Sequence, residues 1–136
     1  PAGDALCAAL QVLNHLQDLG ADRARLDRVY LPADWMAAAG IDVTALDAPA
    51  TSPGLRHVID QCLDGTDQLL DLAEPLAGLF TSRRLGAETA VIQRLARRLA
   101  ARLRREDPLA GRVKHSKLDL LAGLGAGIGR LIRGSA

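Results

Sequence analysis

The stretch LQVLNHLQDLGAD, residues 10–22, carries two patterns at once. Leu10, Leu13 and Leu16 continue from Leu6 at helical spacing and predict a buried stripe on a helix over residues 4–22. Asn14, Asp18 and Asp22 recur at a strict four-residue step. Four residues overshoot one helical turn by only about 40°, so the amide and the two carboxylates span an arc of about 80°. Neighbouring Cβ atoms would lie roughly 5–6 Å apart. Carboxylates that close repel one another unless a cation lies between them. Oxygen-only donors suit a hard ion, and magnesium, which keeps open positions for phosphate oxygens, fits best. The competing reading is a solvated helix face with a frayed end.

Around this stretch the chain reads as all-α. Ala, Leu and Arg dominate its 136 residues and β-branched residues are few. Pro32 begins a short helix over ADWMAAA that Gly40 closes. Ser52 and Pro53 open a helix reaching to about residue 80, with Pro75 set to interrupt it. A helix over 84–106 is expected to bury Leu85, Ile92, Leu95, Leu99 and Leu103. Asp107-Pro108 ends it. A last helix over 116–132, capped by Ser116, is diluted by Gly123, Gly125, Gly127 and Gly129, which permit close packing. That glycine repeat lacks the context of a phosphate loop.

Composition narrows the partners. Tyr30, Trp35 and Phe80 are the only aromatic residues, too few to stack single-stranded nucleic acid. Cys7 and Cys62 form neither a disulfide framework nor a zinc motif, which predicts a reducing, cytoplasmic setting. The longest uncharged apolar run, residues 120–129, is too short to span a bilayer. Residues 1–80 carry twelve acidic and four basic side chains, and residues 81–136 carry four and thirteen. The arginines of 84–106 read as a solvated face or as partners of the acidic half, and leave room for peripheral contact with anionic lipid. Asp60, Asp64, Asp67 and Asp71 read as a solvated face, and His15, about 100° from Asn14, as a packing histidine.

Arg23, Arg25 and Arg28 follow the carboxylates directly. Guanidinium groups beside a metal cluster could clamp the remaining oxygens of a diphosphate. The combination LQVLNHLQDLGAD…RVYLP resembles the second aspartate-rich motif of the squalene/phytoene synthase family, with Gln11, Asn14, Asp18, Asp22, Arg28, Tyr30, Leu31 and Pro32 in register. Downstream, SRRLGAETAVIQRLARRLAARLRREDPLAGRVKHSK is similar to that family's C-terminal helices.

The resemblance implies an all-α, partial isoprenoid synthase bundle and a magnesium-dependent enzyme acting on prenyl diphosphates. The wording NHLQD…LDRVYLP is most similar to the branch converting presqualene diphosphate to hydroxysqualene in hopanoid formation. Head-to-head synthesis of presqualene diphosphate or phytoene is the alternative, and a non-catalytic helical assembly module the alternative of another class. The resemblance implies Asn14, Asp18 and Asp22 as metal ligands, with Asp18 and Asp22 catalytic. It implies Gln11, Asn14, Arg28 and Tyr30 as substrate-binding.

Position 21 is Ala where many members carry an acid, and the family's first aspartate-rich motif is not among these residues. Together with the opening at Pro1 rather than Met, this predicts that residues 1–136 are the C-terminal portion of the domain, inactive without the N-terminal half. Such a piece should show an exposed apolar patch on the 4–22 helix.

Overall fold

The computed structural model describes residues 1–133. It is all-α, with no strand among the described residues. In order, α1 spans Ala2–Gln17, α2 Leu19–Leu26 and α3 Ala33–Ala38. A 3-10 turn at Val43–Asp47 leads to α4 (Pro53–Ala73), α5 (Leu76–Leu79), α6 (Arg83–Leu103) and α7 (Lys117–Arg133).

The core lies where α1, α4 and α6 meet. α1 contributes Ala5, Leu6, Ala9, Leu13 and Leu16, a stripe at helical spacing. Across from it α4 buries Leu55, Val58, Ile59, Leu63 and Leu70. Each leucine removed from water in this way stabilises the fold by about 1.5–3 kcal/mol. Ser52 caps α4 as its sequence predicts, accepting from the Leu55 backbone N–H at 3.2 Å, with Pro53 in the first turn. Pro75 interrupts the helix: α4 stops at Ala73, and the buried Gln93 amide donates to the Ala73 carbonyl at 2.6 Å.

α6 departs from its expected stripe. Leu99 and Leu103 are buried with Ala96 and Ala100, whereas Leu85 and Ile92 are exposed. The buried side contains alanines because α6 is crowded from two directions, by the α1–α4 pair and by α7. Gly86 lies under α5, where a Cβ would come 2.7 Å from the Ala77 carbonyl oxygen. Gly123 and Gly127 lie against Leu95 and Val91 of α6, while Gly125 faces open space.

The acidic and basic halves pair across α4 and α6. Arg104 reaches Asp64 at 2.8 Å and Asp67 at 2.7 Å, and Arg97 reaches Asp71 at 2.9 Å and Glu74 at 3.0 Å. Asp64, Asp67 and Asp71 of the α4 row thus pair with arginines of α6 while staying on a solvent-exposed face. No helix among the described residues is long and apolar enough to cross a membrane.

Candidate functional site

The helix expected over 4–22 is two helices. Asp18 closes α1 and opens α2, with φ −99° and ψ 10°, in the sparsely populated bridge region. The backbone ladder still crosses the junction, from Asp18 N–H to the Asn14 carbonyl at 3.1 Å and from Asp22 N–H to the Asp18 carbonyl at 2.7 Å. A strap following α6 lies across this junction. Gln17 donates its amide to the Val113 carbonyl. A Cβ built on Gly20 would touch Leu109 and the Pro108 carbonyl, so the strap lies close to α2.

The same strap carries Arg112 to Asp18. Its guanidinium grips both carboxylate oxygens, Nε to Oδ1 at 2.7 Å and Nη2 to Oδ2 at 3.2 Å. One turn on, the Tyr30 hydroxyl donates to Asp22 Oδ2 at 2.9 Å. The His15 ring lies on the Tyr30 ring, with centroids 3.8 Å apart and planes 13° from parallel. His15 thus braces the tyrosine that orients one of the two carboxylates.

Gln11 and Asn14 are exposed on α1, and Asp18 and Asp22 are half-buried beyond them. The uncovered side of α1 is mixed. It shows Cys7 and Leu10 together with Gln11 and Asn14, and Leu10 is its one large exposed apolar side chain. The expected apolar patch on this helix is therefore absent among the described residues; the large exposed apolar side chains concentrate on α7.

The arginines after the row divide. Arg23 turns away to Asp47, Nε to Oδ1 at 2.8 Å, and also pairs with Asp27. The hydrogen bond to Asp47 holds the guanidinium above its ordinary value and the Asp47 carboxyl below its own. Arg23 thus ties α2 to the 3-10 turn and is not placed to clamp an anion. Arg25 and Arg28 are exposed.

Asn14, Asp18 and Asp22 offer only oxygen donors, which suit a hard divalent cation. Among the described residues no three His, Cys, Asp or Glu side chains gather as a metal cluster. Asn14 is open to solvent, and Tyr30 engages only one Asp22 oxygen. The oxygens of Asp18 are engaged by Arg112, which a cation at this position would have to displace. In kind the set fits a magnesium ion, with Arg112 as its competitor.

Behind the His15–Tyr30 pair opens an apolar cleft of about 280 Å³, lined in part by Leu16, Trp35, Cys62 and Leu69. Burial pushes the Cys62 thiol up from its ordinary value, which leaves it a poor nucleophile.

Arg112 escapes a reading of the motif because it lies 94 residues from Asp18. His15 escapes because its partner, Tyr30, belongs to a different segment.

The squalene/phytoene synthase family model matches residues 1–119. The chain is 44% identical over 121 residues to a hydroxysqualene synthase of Zymomonas mobilis, covering 89% of this chain and 41% of the relative. To a hydroxysqualene synthase of Rhodopseudomonas palustris it is 42% identical over 135 residues, covering 98% of this chain and 46% of the relative. A phytoene synthase of Rhodobacter capsulatus is 42% identical over 62 residues, covering 45% of this chain and 18% of the relative. No solved structure matches the chain. The chain spans less than half the length of these curated relatives. With its helical architecture and its match over residues 1–119, the chain belongs to the squalene/phytoene synthase family of enzymes.

Proposed function

We propose that these residues form the C-terminal portion of a hydroxysqualene synthase, which converts presqualene diphosphate and water to hydroxysqualene and diphosphate. The observation that carries this reading is the oxygen-donor row along α1 and α2, with a bidentate arginine, Arg112, already at its centre. The long identity to hydroxysqualene synthases supports the choice of reaction. Presqualene diphosphate or phytoene synthesis would use the same row and is supported by shorter stretches of identity.

In this reading Asn14, Asp18 and Asp22 hold magnesium. When bound, it supplies positive charge that stabilises the departing diphosphate. Arg112, displaced from Asp18, meets the anionic oxygens with the same bidentate geometry. His15 keeps the Tyr30 ring in place, and Tyr30 keeps the Asp22 carboxylate turned toward the row. Gln11, one turn before Asn14, faces the same side, with Arg28 at the far end. The carbon–oxygen bond to diphosphate breaks with its electron pair on the diphosphate. The cyclopropylcarbinyl cation left behind rearranges and its ring carbon–carbon bond opens as a water oxygen bonds to the chain and loses a proton. Apolar walls keep other water away until that capture. The enzyme would act in the cytoplasm, with peripheral membrane contact suited to an oily substrate and product.

The test uses a protein in which residues 1–136 are joined to the N-terminal half bearing the family's first aspartate-rich motif. With presqualene diphosphate and Mg2+ it should release hydroxysqualene, and Asp18→Ala should lower kcat/KM by about 100-fold or more. Full activity in Asp18→Ala would remove the metal assignment. No turnover of presqualene diphosphate, together with condensation of two farnesyl or geranylgeranyl diphosphates, would shift the reading to the head-to-head synthases. Residues 1–136 alone should show no turnover.

A further inference from the structure

α7 has its large side chains on the wrong side for a helix of a water-soluble bundle. Toward α6 it presents Gly123 and Gly127, against Leu95 and Val91. Its acid, Asp119, is also on the inner side, buried between Arg98 and Arg102. Outward it presents Leu118, Leu121, Leu124, Ile128 and Ile132, each 58–72% exposed. With Leu131 they fill an arc of about 140° at 100° per residue. No acidic residue falls within that arc, and Lys117 falls inside it. An apolar stripe this long is not left to water without a partner.

The charges around the stripe decide between partners. Asp119 is buried, Arg112 is held by Asp18 and Arg130 donates to the Ala77 carbonyl, so the described charges beside the stripe are lysines. Lys114 and Lys117 are exposed at the start of the stripe. At its far end an apolar groove between α6 and α7 is bordered by Arg84, which pairs with Glu88 at 2.8 Å. Packed in parallel on a second copy, the face would bring these lysines against their counterparts. A bilayer with anionic headgroups accepts both features: hydrocarbon takes the leucines, and the headgroups take the lysines.

We infer that α7 is a membrane-docking helix. It lies in the interfacial plane of an anionic bilayer, with Leu118, Leu121 and Ile128 submerged and Lys114 and Lys117 among the headgroups. The inference names the surface for the peripheral contact proposed above. It rests on no part of the catalytic assignment, because docking needs neither turnover nor metal.

The experiment is co-sedimentation of the 136-residue chain with vesicles of phosphatidylcholine alone, or with about 30 mol% phosphatidylglycerol. The chain should sediment with the anionic vesicles and less with the neutral ones. Leu121→Glu/Ile128→Glu should weaken partition about tenfold or more with its helical circular dichroism intact. Lys114→Glu/Lys117→Glu should weaken partition on anionic vesicles only. Leu72→Glu, an equally exposed leucine on α4, should change nothing. Absence of binding to anionic vesicles, or binding that Leu121→Glu/Ile128→Glu leaves intact, would overturn the inference. So would a lipid-free dimer that the same double variant dissolves, which would assign the face to a second copy of the chain. Protection of the α7 leucines in a protein with the N-terminal half attached would overturn it as well.

Discussion

Asp18 is held by an arginine, and the metal role proposed for it would compete with that pair. Held by Arg112, its carboxylate is neutralised and joins the strap to α1. Released, it can complete an oxygen set with Asn14 and Asp22. A partly exposed bidentate pair contributes about 0.5–1 kcal/mol, so removing the competitor should raise affinity for a divalent ion about two- to fivefold. Titration of Arg112→Gln with Mn2+, read by electron paramagnetic resonance, should show that gain; an unchanged affinity would mean that the pair does not compete with metal. His15→Ala should loosen Tyr30 and weaken Mn2+ binding, whereas His15→Phe, which preserves a flat ring, should retain most of it. An equal loss in both variants would deny the stacking role.

Acid sensitivity also belongs to single residues. Burial pushes the Asp107 carboxyl up, but bonds from the Thr51 hydroxyl and N–H and from the Leu109 and Ala110 N–H groups outweigh it. The net position is below the ordinary value of 3.8. Asp119 lies below it too, chiefly through the Ser116 N–H and hydroxyl, then through Arg102 and Arg98. A carboxyl with a folded-state pKa below its unfolded one adds stability above the unfolded value. It loses that stability as pH falls through the folded value. Stability should therefore be level near neutrality and decline below about pH 4. Asp107→Asn should be less stable at pH 7 and show a shallower acid decline in urea titrations; an unchanged slope would remove Asp107 from the account.

At the scale of elements, glycine means different things along the chain. A Cβ at position 86 would meet the Ala77 carbonyl oxygen at 2.7 Å, and backbone cannot rotate aside as a side chain can. Gly86→Ala should cost about 1–3 kcal/mol and weaken the packing of α5 on α6. Gly125 meets nothing within 4 Å inside α7, so Gly125→Ala should stabilise by about 0.5–1 kcal/mol. Thermal denaturation of the two variants should give shifts of opposite sign. The junction of α1 and α2 is the other informative element. The four-residue step of Asn14, Asp18 and Asp22 predicts an unbroken ligand row, yet the helix breaks at Asp18, where the strap of residues 107–113 lies in contact with Gly20. The row bends at its middle member, so its three residues do not all share one helix axis.

For the molecule as a whole, the three central helices carry the stability and the charges orient them. Leu63→Ala, in a fully buried position on α4, should cost about 2–5 kcal/mol in urea unfolding. The pairs between α4 and α6 are largely exposed, so raising salt to about 1 M should lower stability only slightly. A large loss in salt would mean that these pairs do more than set helix register.

By itself the sequence determined the all-α class, the caps at Ser52 and Ser116, the interruption at Pro75 and the order of Asn14, Asp18 and Asp22, because each depends on chemistry within a few residues. It also carried the family, since the motif is contiguous. The tertiary structure alone decided which carboxylate is gripped by Arg112, that His15 braces Tyr30, that Arg23 turns to Asp47, and which face of α7 points outward. Each of these joins side chains from separate segments or is settled by what a neighbouring helix covers. Periodicity supplies the faces of a helix but not the neighbour that each face meets.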